Sequence, residues 1–155
     1  MSTNDESYDA ASVVARLAGL IPDAPASEFV TPEQLVSHFC LTVREPCSRS
    51  HGWQPLKGRP GTRRATGFCG FSGGRGDRLE TGFDDGYDYM GYLDERGWRA
   101  LDGIGDWPYN VWLFWPARDG QPTALAQYIE GDLTVWQFET LEDAQAFLGS
   151  LPDAA

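Results

Sequence analysis

All three cysteines and both histidines of this 155-residue chain fall between positions 38 and 69: His38, Cys40, Cys47, His51 and Cys69. Thiolate and imidazole are the groups zinc prefers, and a structural site closes a tetrahedron with four of them, Cys3His being an accepted set. The four that fit are Cys40, Cys47, His51 and Cys69. Cys47 and His51 are near enough in sequence to form a half-site, and Cys69 would close the glycine-rich stretch. A bound zinc would also order an otherwise loose segment. Against it, the C-x6-C-x3-H-x17-C spacing matches no common finger or ribbon and holds no CxxC pair. On a regular helix His38 and Cys40 point about 200° apart, so the two do not share an ion. In the competing assignment no cofactor is bound, Cys40 and Cys69 are small buried hydrophobes, and His51 is a solvated loop residue.

The same residues admit a nucleophile, Cys69 between Phe68 and Gly70 with His51 as base. No protease-like signature surrounds them, and no Asn or Asp is marked as an orienting group. The run Gly67–Gly76 invites a phosphate-cradle reading, yet no Gly-Lys-Ser/Thr follows and no GxGxxG can be placed. Carboxylates cluster at Asp84-Asp85-Gly86-Tyr87-Asp88, Asp94-Glu95 and Asp102–Asp106, none with the spacing of a calcium loop. A carboxylate pair for glycoside hydrolysis is defined by separation in space rather than in sequence. Aspartates beside glycine ordinarily form turns.

Charge sets the wider context. The chain holds 23 acidic and 12 basic side chains, a formal charge of −11. Eight of the basic residues lie between Arg44 and Arg78, opposed there only by Glu45 and Asp77, leaving +6 in that stretch and −17 over the rest. Arginines beside Trp53, Phe68 and Phe71 would suit stacked single-stranded nucleic acid, but the acidic remainder repels a polyanion and attracts basic partners. The basic stretch equally suits pairing with the protein's own acidic surface. Five of six tryptophans and five of six tyrosines lie beyond residue 86. Beside carboxylates, such rings make binding anchors where exposed and core where buried.

The elements that must position these groups follow from periodicity. Residues 1–7 read as a polar tail. Val13, Leu17, Leu20 and Ile21 recur at helical spacing until Pro22. Thr31-Pro32-Glu33-Gln34 is a capping box opening a second helix with Leu35, Phe39 and Val43 on one stripe, stopped by Pro46. Residues 46–86 are Gly/Arg-rich and irregular, with short strands expected at Gly67–Ser72 and Leu79–Phe83, and held by strand pairing, a metal or a partner. From Tyr87 alternation predicts aromatic strands at Tyr87–Leu93 and, after a turn at Asp94–Gly97, Trp98–Leu101. Tyr109–Trp115, apolar on both faces, reads as a central strand. Thr123–Glu130 and Leu133–Phe138 form a hairpin about Gly131-Asp132 in which Tyr128 faces Val135 and Leu125 faces Phe138. Thr140 caps a last helix with stripe Leu141, Ala144, Leu148 and Leu151.

These elements predict one domain, 1–155, of the α+β class. It is an antiparallel meander of four to five aromatic-rich strands, with N-terminal helices and a C-terminal helix packed on one face. The longest apolar run, Val111–Trp115, is far shorter than the ~20 residues that span a bilayer, so no membrane role is expected. Three cysteines and no visible leader point to the cytoplasm. The expected function is a non-catalytic protein-interaction module, of the immunity or inhibitor type, that binds a basic partner through an acidic aromatic surface. Its expected contact residues are Asp84, Asp85, Asp88, Tyr89, Asp102, Asp106 and Trp107. The alternatives are a zinc-stabilised module presenting the basic loop to an anion or nucleic acid, and a small Cys- or carboxylate-dependent enzyme.

Overall fold

A computed structural model describes residues 10–22, 24–36, 53–68, 86–101, 104, 110–117, 122–129 and 132–151. Its framework is a six-stranded antiparallel sheet in the order β1-β2-β6-β5-β4-β3. The strands are β1 (Gln54–Pro55), β2 (Arg63–Phe68), β3 (Arg99–Ala100), β4 (Asn110–Trp115), β5 (Thr123–Ile129) and β6 (Asp132–Phe138). Strands β3 to β6 form the expected meander. The hairpin β1–β2 joins it along β6, with Arg63 opposite Gln137 and Phe68 opposite Asp132. Helices α1 (Ala10–Leu17), α3 (Gly86–Asp94) and α4 (Leu141–Gly149), and the helical residues 32–36 (α2), accompany the sheet. The class is therefore α+β, with the hairpin β1–β2 added to the meander and the two-residue β1 at the sheet edge. Among the described residues no helix is long and apolar enough to cross a membrane.

Every residue of β4 from Val111 to Trp115 is buried, as its two-sided apolar pattern requires. Alternate residues feed two separate cores. Trp112 and Phe114 join Leu125, Trp136 and Phe138 beneath α1 and α4, which contribute Val13, Leu17, Ala144, Phe147 and Leu148. Val111, Leu113 and Trp115 join Ala124, Ala126, Leu133 and Val135 beneath Leu35 of α2 and Met90 and Leu93 of α3. The first and last helices thus share one face, as expected, but α2, expected beside them, lies with α3 on the other face, because its Leu35 packs into the core there. On the α1–α4 side Trp112 stacks on Trp136 at 5.5 Å and 9°, and Phe147 packs against Trp136 and Phe138 at 5.2 and 5.4 Å. These tryptophans are core, with Trp98, Trp112 and Trp136 all below 9% exposed.

Both predicted helix caps form. The Thr31 hydroxyl accepts from the Gln34 amide at 3.1 Å, and the Gln34 side chain accepts from the Thr31 amide at 2.9 Å. Thr140 accepts from the Asp143 amide at 3.1 Å, leading Ala144, Phe147 and Leu148 into the core.

Two expectations need correction. Residues 87–93 are helix, not strand, because Met90 and Leu93 stand three apart and both enter the α2–α3 core, a spacing only a helix places on one face. In the β5–β6 hairpin Tyr128 pairs with Leu133 and Leu125 with Trp136, two residues from the expected register. The paired Ile129 and Asp132 leave Glu130 and Gly131 between the strands. A shift of two keeps every side chain on its intended face, so the core composition survives.

In the 46–86 stretch, strand pairing supplies the described order. The expected strand at Gly67–Ser72 is displaced toward the N-terminus as β2 (Arg63–Phe68), while the expected strand at Leu79–Phe83 lies outside the described residues.

Candidate functional site

The expected contact residues divide in two. Asp88 and Tyr89 lie on α3, two residues and one residue before Met90, whose burial anchors that helix to the sheet. Asp84, Asp85, Asp102, Asp106 and Trp107 lie outside the described residues, as do Cys40, Cys47, His51 and Cys69. Among the described residues no three His, Cys, Asp or Glu side chains gather as metal ligands do. In sequence, Asp85 immediately precedes α3 and Asp102 falls between Leu101 and Ile104, which are both buried. Both faces of the sheet are covered by helices, α1 and α4 on one and α2 and α3 on the other.

The basic hairpin is better defined. Arg63 forms an ion pair with Glu33, donates to Gln137 Oε1 at 2.7 Å, and lies over the Trp53 ring at 4.3 Å. Trp53 Nε1 donates to the other Glu33 oxygen at 3.0 Å. One guanidinium so ties α2, β1 and β6 together. Arg59 donates to Ser150 Oγ at 2.7 Å beside the C-terminal end of α4, where the helix dipole favours a cation, and it also covers Phe147 at 5.3 Å. At Gly61, φ is +85° and a Cβ would come within 2.9 Å of the Glu139 side chain, so the hairpin turn there requires glycine. Two of the four hairpin cations, among Lys57, Arg59, Arg63 and Arg64, therefore serve internal contacts.

Exposure keeps the Arg63–Glu33 pair weak. The two side chains are 39% and 60% exposed, so a double-mutant cycle of Arg63→Ala with Glu33→Ala is expected to give a coupling of about 0.2–1 kcal/mol by urea denaturation. A coupling well above this range would show that the pair is held away from water.

A different constellation has no counterpart in the sequence reading. Leu17, Ala18, Leu20 and Ile21 at the end of α1, Phe114, Pro116 and Ala117 at the end of β4, Thr123 of β5 and Leu141 of α4 line a groove of about 530 Å³. Thr123 is the one polar residue among them, and its Oγ1 is buried without a hydrogen-bond partner. The groove draws on four chain segments that share no spacing or period. A lone threonine after Pro122 is its only sequence mark.

No protein-family model matches this chain, and neither a curated protein nor a solved structure matches it significantly.

Proposed function

We propose that the protein is a non-catalytic interaction module that binds a basic protein, as an immunity or inhibitor protein does, through Asp84, Asp85, Asp88, Tyr89, Asp102, Asp106 and Trp107. The observation that carries this reading is the distribution of charge. Outside Arg44–Arg78 the chain carries −17, and all of these aspartates lie there. A cationic partner is drawn toward those segments. Asp88 and Tyr89 belong to a helix fixed by buried Met90 and Leu93, which limits the ordering cost of binding there. Recruiting Arg59 and Arg63 into internal contacts further reduces the free positive surface that would repel such a partner.

Cationic cytochrome c serves as a probe of this steering in stopped-flow association at varied salt. Asp84→Lys/Asp85→Lys/Asp88→Lys is expected to slow association about tenfold at low ionic strength and to flatten its salt dependence. Glu28→Lys/Glu139→Lys/Glu142→Lys alters the net charge equally on other surfaces and is expected to cost no more than about threefold. Equal losses in the two variants would contradict a localised site.

A further inference from the structure

The groove between α1, α4 and the β4–β5 end of the sheet lies on the α1–α4 face, across the sheet from α3. Ile21 on its rim is 55% exposed, the only large hydrophobic side chain so exposed among the described residues. Thr123 shares the face of Leu125, which belongs to the α1–α4 core, so its side chain is directed to the side where the groove lies. Thr123 is 3% exposed, and its buried hydroxyl has no hydrogen-bond partner. Roughly 90% or more of buried polar groups in folded proteins are partnered, so such a hydroxyl calls for an explanation.

We propose that this groove binds a small neutral molecule with an apolar body and one hydroxyl or carbonyl oxygen, which becomes the missing partner of Thr123 Oγ1. Size, lining and charge converge on that class. A volume near 530 Å³ falls within the ~300–1,000 Å³ of small-molecule sites. Among the described lining residues every side chain but Thr123 is apolar. Among the described lining residues there is neither a cation for an anion nor a carboxylate for an ammonium, and the chain's charge of −11 further disfavours an anion. The hydroxyl is covered, and rotation about the Thr123 Cα–Cβ bond to another staggered rotamer brings it to the ligand.

Three seven-carbon probes differing only in their head group, 1-heptanol, heptanoate and heptylammonium, separate the possibilities in 1H–15N NMR titrations of the full chain. 1-Heptanol is expected to give saturable shifts at Leu17–Ile21, Phe114, Ala117, Thr123 and Leu141. The two ions are expected to bind at least about tenfold more weakly. Thr123→Val keeps the shape and removes the hydroxyl. It should weaken heptanol binding roughly fivefold while leaving the Tm unchanged or raised, since no internal hydrogen bond is lost. Ala18→Phe, at an exposed lining position, should abolish binding and leave the fold intact. The proposal is overturned if heptanol gives no saturable shifts at these residues, if either ion binds as well, or if Thr123→Val binds heptanol unchanged. A lowered Tm in Thr123→Val would also overturn it, by showing that the hydroxyl already has a partner. None of these outcomes bears on the acidic interaction surface, which involves other residues.

Discussion

Trp98→Ala is expected to destabilise the protein by about 3–5 kcal/mol, a large part of the ~5–15 kcal/mol that holds a typical domain folded. Trp98 is fully buried and stands where three parts of the chain meet. Its indole Nε1 donates to the Val30 carbonyl at 2.8 Å, and its own amide donates to Leu93 O at 3.2 Å. Its ring lies 5.5 Å from Trp115, which packs edge-on against Phe29 at 5.0 Å. Alanine leaves a large cavity beneath α3 and strips the Val30 carbonyl of its donor, so packing and hydrogen bonding fail together. Urea denaturation followed by circular dichroism reads the loss directly. A shift corresponding to less than about 1 kcal/mol would place Trp98 outside the core.

Gly97→Ala is expected to act at the same junction by a different cause. Gly97 has φ +104°, a region L side chains rarely adopt, and an added Cβ would meet Trp115 Cζ3 at 2.7 Å and Phe29 Cδ1 at 2.9 Å. Backbone strain of about 1–3 kcal/mol and displacement of two packed rings at a further ~1–3 kcal/mol should combine to nearly the effect of Trp98→Ala. Gly91 provides the control. It sits within α3, and a Cβ there meets nothing within 4 Å. Gly91→Ala should stabilise the protein by roughly 0.5–1 kcal/mol. Similar behaviour of the two alanine variants would refute the close approach at Gly97.

Gly97 closes, and Trp98 follows, the turn that the sequence marks correctly at Asp94–Gly97, though the element before it is misread. The peptide Tyr-Asp-Tyr-Met-Gly-Tyr-Leu alternates like a strand and also repeats every three to four residues like a helix. Only the tertiary surface receiving Met90 and Leu93 chooses between them. Strands β4, β5 and β6 and the cap of α4 were legible because pattern, turn chemistry and burial agree there. The hairpin register was legible in its parity but not in its offset, since two adjacent residue pairs each make an acceptable primed turn. The β1–β2 hairpin was obscure because its order comes from distant partners: Arg63 with Glu33, and Arg59 with Ser150. For the candidate site, sequence conveys the sign of the charge and the residues that bear it. The groove beside Thr123 is formed by tertiary assembly alone.

The proposed function rests on where a basic protein touches this chain. NMR mapping of cationic cytochrome c onto the 15N-labelled protein tests that point most directly. Shifts and line broadening concentrated at Asp84–Tyr89 and at Asp102–Trp107, and lost together as salt is raised, are the predicted result. Changes spread evenly over the surface, or confined to the acidic first turn of α4 around Glu142 and Asp143, would contradict it.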